Sequence, residues 1–405
     1  MSSLLNVAIK STVSRRWTVI LSSVAIALSV GLVAMTEKVR EGTRAGFENT
    51  ITGTDLVVGA RTGPLSLVLY TIFRLGDPLQ GVSYETFEIV ERHPDVAWVV
   101  PLSLGDSHRG YRVLGTDERY INHYRYADGR HLEFAAGTWS GDAEGAVLGA
   151  EVAEALGYTI GQEIILSHGI VAAGFADHDA HPFRIVGILK RTATPVDRTV
   201  HVSLKGLGRI HGELTPSGEA QPEKITAFLV GMKNRPMVLS LQRSLNSYAG
   251  EPLTAVIPGV ALSRLWSIIG PVERVLHAVT SLIFIVGMIG LSNTLLAGIA
   301  GRRREIAILR AVGARPKDVF FMLTFETCMV SGAGAVTGLA AAHSGLAVAA
   351  PLLADRFGVA LQKLGPGPFD LGLFGAVLGI GTLAGFLPGI AAYRQALDED
   401  LSSVS

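Results

Sequence analysis

The sequence predicts an α-helical membrane protein with four transmembrane helices plus an α+β extracytoplasmic domain. Three observations predict it. Four runs with few or no charges are long enough to cross a bilayer, charges crowd into residues 37–264 and 301–318, and strand-like and helix-like runs alternate through 37–264. Only 17% of the 405 residues are charged, against roughly 25% in soluble domains. Basic and acidic side chains number 35 each, so net charge points to no nucleic-acid partner.

Residues 1–16, with Leu5, Ala8, Ile9, Thr12 and Val13 at helical spacing, predict a cytoplasmic interfacial helix. The first span is 17–36, 20 residues without a charge. It exceeds the apolar core of a signal peptide and no A-x-A-type cleavage site follows, so it reads as an anchor. The second span, 275–300, holds one histidine; the third, 319–354, is interrupted only by Glu326 and His343; the fourth, 371–393, is uncharged. Each exceeds the roughly 20 residues that a helix rising 1.5 Å per residue needs.

Basic residues set the orientation. Lys10, Arg15 and Arg16 precede the first span, six lysines and arginines fill 301–318, and Arg394 follows the fourth. The termini (1–16 and 394–405) and the 301–318 loop are expected in the cytoplasm, with 37–274 and the short loop 355–370 on the other side.

Within 37–274, polar residues 37–52 are expected to continue the first helix, and 258–274 to lead as a helix into the second span, the two making a stalk. Between them, Leu56–Val58, Ala97–Val100, Tyr111–Leu114, Ala146–Leu148, Glu163–Leu166, Phe183–Leu189, Thr199–Val202 and Ala227–Val230 read as strands. Tyr84–Arg92 and Ala150–Leu156 read as helices, the latter capped by Gly157. The chain has one cysteine, Cys328, so an exported domain must cohere through its core.

No G-x-x-x-x-G-K-[ST] phosphate cradle, H-E-x-x-H or G-x-S-x-G occurs. The expectation is a transport subunit with no catalytic residue and no cofactor of its own. The 301–318 run reads as a short amphipathic helix: Arg302, Arg303, Arg304, Glu305 and Arg310 stand beside Ile306, Ile308, Leu309 and Val312. The arginines alone would satisfy positive-inside topology, but an apolar stripe beside them marks a docking surface. Gly313 suits a left-handed helix stop and Pro316 a helix start.

In the last two spans, Gly334 and Gly338, then Gly381, Gly385 and Gly389, recur every fourth residue, as close helix packing in lipid favours. Pro388 is expected to kink the last helix. Glu326 is either a functional carboxylate or one that reaches the interface. His168, His178, Asp179 and His181 lie in a histidine-rich stretch that also includes His201 and His211. Imidazoles beside carboxylates can hold zinc, whereas the plainer reading is a polar surface loop.

The run "RRREIAILRAVGARPKDV" between two spans resembles the signature of FtsX-type ABC transporter permeases, the family of MacB and LolC/LolE. "RHPDVAWVVP", "VLGTDERY", "GAVLGAEVAEALGYTIGQEIIL" and "FRIVGILKRTATPVDRTVHVSL" resemble, in order, blocks of the MacB-like periplasmic core domain. The resemblance implies a multi-pass protein of the bacterial inner membrane with a large periplasmic domain. It implies a homo- or heterodimer with a second permease protomer, working on ABC ATPase subunits that bind ATP and Mg. It also implies that Arg302, Arg303, Arg304, Glu305, Ile308, Leu309, Arg310 and Gly313 couple to the ATPase. ATP hydrolysis there would drive periplasmic movement and export or extraction of a substrate. A periplasmic binding protein is a further expected partner, besides membrane lipid. No match to the long lipoprotein-handling hook of LolC/LolE is visible. Two alternatives stay open: a zinc-handling permease using the histidine-rich segment, and an ATPase-independent membrane sensor or scaffold.

Overall fold

A computed structural model describes residues 16–78, 80–127, 129–168, 182–212, 222–311, 315–357 and 365–402. The chain divides into two compact units, one of residues 1–43 with 270–405 and the other of residues 44–269. The first expected helix, 1–16, lies almost wholly outside the described residues.

The unit of 44–269 is built on a mixed sheet. In chain order its elements are β1 (Leu56–Ala60), α2 (Pro64–Thr71), β2 (Val82–Ser83), α3 (Tyr84–Glu91), β3 (Val96–His108), β4 (Tyr111–Thr116) and α4 (Glu118–His123). Next come β5 (Arg125–Tyr126), β6 (Arg130–His131), β7 (Phe134–Gly137), β8 (Gly145–Leu148), α5 (Ala150–Leu156), β9 (Glu163–Ile164), β10 (Ser167–His168) and β11 (Phe183–Leu189). A 3-10 turn (Pro195–Arg198), β12 (Thr199–Ser203), α6 (Leu204–His211), β13 (Lys224–Ile225), β14 (Ala227–Met232), α7 (Val238–Asn246) and β15 (Leu253–Val256) complete it.

The main sheet runs β15-β1-β14-β3-β4-β12-β8-β11-β7, with β10 on β3 and β9 on β11. β3 joins its two halves. Residues 96–102 pair antiparallel with β14, and the register shifts between Leu104 and Ser107 as the strand passes to β4. Such a shift bends a strand and raises its twist, and alternate β3 side chains enter two cores, Val96 and Val99 one, Val100 and Leu102 another. Val58, Phe87, Val99, Phe228 and Val230 fill one core, and Val113, Leu148, Phe183, Val200 and Val202 fill another. A third gathers Val57, Val100, Leu114, Tyr120, Tyr124 and Leu229.

Local signals explain the helices. Ser83 accepts from the Thr86 amide at the start of α3, and Ser203 from the Gly206 amide at the start of α6. Gly157 ends α5 with φ +66°, a conformation that costs glycine nothing. The expected strands all contain observed ones, several longer than expected. α2, α4, α6, α7, β7 and β15 had no counterpart in the sequence reading.

The membrane-type unit is helical: α1 (Arg16–Asn49), α8 (Pro258–Ala311), α9 (Pro316–Phe357) and α10 (Pro368–Ser402). Among the described residues, four helices are long and apolar enough to cross a membrane, over Val19–Phe47, Pro258–Gly287, Lys317–Leu352 and Pro368–Phe386. The amphipathic helix expected in 301–318 continues the second span, α8 staying helical to Ala311; its apolar residues at i, i+3 and i+4 favour that. The tail after 393 is likewise helical to Ser402, and the helix runs unbroken through Pro388.

Candidate functional site

The membrane unit packs around α1. A Cβ on Gly338 would stand 2.5 Å from the Ala27 carbonyl oxygen, and one on Gly334 would stand 2.8 Å from Ile26 Cβ and 3.0 Å from the Ser23 carbonyl. Gly31 approaches Gly338 in return, its Cβ position 3.2 Å from that residue's carbonyl oxygen. α1 and α9 therefore touch backbone to backbone, which only small residues allow. On α10, a Gly385 Cβ would meet Thr327 Oγ1 at 2.9 Å, while Gly381 is buried. The side chain position at Gly389 lies outside the described residues. Gly287 of α8 packs on Ser29 of α1.

Two ionic groups extend this hub. Lys38 Nζ lies 3.2 Å from Asp370 Oδ2 and donates to the Gly365 carbonyl at 3.0 Å. Asp370 Oδ2 also accepts from the Gly367 amide at 2.7 Å and stands 3.4 Å from His343 Nε2. The Lys38 and Asp370 side chains are only 4% and 7% exposed, so neither relies on water. Glu37 pairs with Arg40 and stands 3.6 Å from His277 Nε2. Adjacent residues of α1 thus tie it to α8 through Glu37, and to α9 and α10 through Lys38.

Glu326 is buried beside Thr327 and near Ser331 on α9. It does not face open solvent in this unit. In the 301–318 segment, Ile308 is exposed, and its α-helical backbone continues to Ala311. The side chains of Arg302, Arg303, Arg304, Glu305, Leu309 and Arg310, and all of Gly313, lie outside the described residues.

Two histidines of the histidine-rich stretch lie by one aspartate, and a third lies elsewhere. His168 sits on β10 opposite Asp106 of β3. His211, at the end of α6, places Nε2 3.3 Å from Asp106 Oδ2. His178, Asp179 and His181 lie outside the described residues. Among the described residues no group of three or more His, Cys, Asp or Glu is placed to hold a metal ion.

His201 belongs elsewhere, fully buried on β12 with Nδ1 3.3 Å from the Val147 carbonyl. Burial, reinforced by the nearby Arg74 charge, pushes its pKa down to about 3. An unfolded chain takes up that proton near 6.5. The stability contributed by neutral His201 is therefore complete above pH 6.5 and is lost as pH falls from there towards 3. Lowering pH from 7 to 5 is expected to remove about 2 kcal/mol through this residue alone. Hydrogen exchange in β12 and β8 of the full-length protein measures it. The pH dependence should flatten in His201→Gln; equal slopes in both proteins would refute the assignment.

Sequence reasoning missed Lys38, Asp370, Arg74 and the isolation of His201. A lysine just past an apolar run reads as a solvated flank, and nothing local to Arg74 marks its side chain as half-buried.

Comparison with known proteins now adds to this geometry. Residues 19–230, more than half of the chain, match the MacB-like periplasmic core domain, and residues 278–400 match the FtsX-like permease C-terminal domain. The pyoverdine export ATP-binding/permease protein PvdT of Pseudomonas syringae pv. tomato is 24% identical over 320 residues, covering 74% of this chain and 45% of that protein. The macrolide export ATP-binding/permease protein MacB of Rhodospirillum rubrum is 35% identical over 119 residues, covering 29% of this chain and 17% of its own length. The chain thus spans about half the length of the first of these relatives or less. The crystal structure of the periplasmic region of MacB from Actinobacillus actinomycetemcomitans aligns with TM-score 0.36 and 12% identity, covering 56% of this chain and 97% of that one.

Proposed function

The chain belongs to the family that joins a MacB-like periplasmic core domain to an FtsX-like permease domain, and from that premise we propose that it converts ATP hydrolysis by an ABC ATPase into movement of its outer domain. The reading places both termini and the 301–318 segment in the cytoplasm and residues 44–269 in the periplasm, following the distribution of lysine and arginine. A second permease protomer would complete the transporter. Export is the direction that the names of the relatives favour.

One observation carries the mechanical part. α8 is a single helix of 54 residues from Pro258 to Ala311, about 80 Å long, with one backbone donor missing where Pro271 sits inside it. It begins two residues after β15 and ends within the arginine-rich segment. A force applied to Ile308 and its neighbours would pass along this helix, which can bend where Pro271 interrupts its hydrogen bonds. The four helices then act as levers rather than as the wall of a pore, and ATP and Mg stay on the ATPase.

Ile308→Asp tests the reading. An exposed isoleucine seated in a partner's groove contributes about 1.5–3 kcal/mol by its burial, so the variant should weaken ATPase association about tenfold or more. Ile160→Asp, at an exposed position of the outer domain, should leave association unchanged. Co-purification and ATP turnover in lipid nanodiscs measure both. A protein that engages no ABC ATPase, or one indifferent to Ile308→Asp, overturns the proposal in favour of a sensor or scaffold.

A further inference from the structure

The outer domain contains a half-buried cation that no protein group neutralises among the described residues. Arg74 follows α2 in the left-handed region, with φ +60°, a conformation uncommon outside glycine and asparagine. Its side chain turns inward. Nη2 reaches the Tyr120 hydroxyl at 3.5 Å, while Nε and Nη1 are buried without a hydrogen-bond partner. No described carboxylate lies within ion-pair distance of it. Leaving two N–H groups of a cation buried and unpaired is costly, and backbone strain at the same residue is the kind of outlier that functional sites hold.

An unmatched acceptor lies beside the Tyr120 ring. The rings of Tyr120 and His201 are 5.5 Å apart, and both residues are fully buried. The Val147 carbonyl beside His201 Nδ1 can only accept, so in the neutral ring Nδ1 carries the proton and Nε2 presents a lone pair. That Nε2 is buried and has no partner. From outside, Arg112 holds the loop that carries Arg74, donating to the Gly76 carbonyl at 2.8 Å and to Asp77 Oδ1 at 2.7 Å.

We propose that Arg74, Tyr120 and His201 form a binding site for a small oxyanion that also carries a hydroxyl group. The Arg74 N–H groups would donate to the anion's oxygens, and its hydroxyl would donate to His201 Nε2. Bicarbonate, dihydrogen phosphate and short 2-hydroxy acids have this chemistry. Acetate carries the charge without the hydroxyl. The site uses none of the ATPase-coupling residues, so it stands or falls independently of the permease reading.

Thermal unfolding of the full-length protein in detergent, at pH 7 and matched ionic strength, tests the proposal with bicarbonate, phosphate, glycolate and acetate as probes. A saturable rise in melting temperature is expected with at least one of the first three, at lower concentration than with acetate. Arg74→Met should abolish the response, and His201→Phe should erase the preference over acetate. Should Arg74→Met fail to yield folded protein, Arg74→Lys is the variant read, with an apparent affinity about tenfold weaker through loss of a charge-assisted hydrogen bond. No saturable response to any of the three, or a response undiminished in the Arg74 variant, overturns the site.

Discussion

Replacing Lys38 by methionine is expected to destabilise the membrane helices by about 3–5 kcal/mol, the cost of removing one partner from a buried ion pair. Methionine fills most of the lysine stem, so the loss is electrostatic rather than a cavity. Asp370 would remain buried, with the Gly367 amide and His343 as its remaining close polar neighbours. The Gly365 carbonyl would lose its donor. Adding Asp370→Asn should recover much of the loss, because an amide needs no counter-charge and its oxygen can still accept from Gly367. Melting of the parent and the two variants in one detergent gives the answer. A Lys38→Met protein within about 0.5 kcal/mol of the parent, the range of ordinary surface substitutions, would show that the pair is not buried in practice.

Asp197→Ala is expected to cost a comparable amount in the outer domain. Asp197 is 4% exposed. Its carboxylate accepts from the Thr192 amide at 2.8 Å, the Thr192 hydroxyl at 2.8 Å and the Ala193 amide at 2.7 Å. Burial pushes its pKa up, and the hydrogen bonds from Thr192 and Ala193 oppose that shift. Ala193 is held at φ +55°, so the same carboxylate secures a strained turn that leads into β12. Alanine would leave up to three donors unsatisfied at about 1–3 kcal/mol each. Partial relaxation, with the Thr192 hydroxyl retaining Thr194 at 2.7 Å, brings the expected total to about 3–5 kcal/mol. Asp197→Asn should lose less, since it keeps acceptor capacity. Denaturant midpoints read by exchange in β12 and α5 check both, and an alanine variant as stable as the asparagine variant would refute the account.

These two sites differ in how far they could be read in advance. The block around Asp197, "KRTATPVDRTVHV", was legible as a turn followed by a strand: Thr194 and Pro195 mark a turn and the β-branched run marks β12. Both Asp197 bonding partners lie within five residues, so local chemistry nearly suffices. Lys38 is the opposite case. Its carbonyl partner is 327 residues away, and hydropathy assigns a lysine at the end of a span to the interface. The glycine rows fall between. Four-residue spacing showed that Gly334 and Gly338 would face a helix, but not that the helix would be α1 at Ser23, Ile26 and Ala27.

The order of the chain, its four apolar spans, the α+β character of the intervening domain and the arginine-rich segment 301–318 were all legible in the amino-acid sequence on its own. Each depends on patterns within about 20 residues: apolar run length, period-two alternation, turn formers and basic flanks. Tertiary structure added the contacts that join distant segments. It gathered α8, α9 and α10 around α1 and bent β3 across two cores. It separated His201 from the histidine-rich stretch and set Arg74 beside Tyr120 without a counter-charge. These features arise from close packing and desolvation, which depend on what the rest of the fold brings alongside, and neighbouring residues carry no record of that.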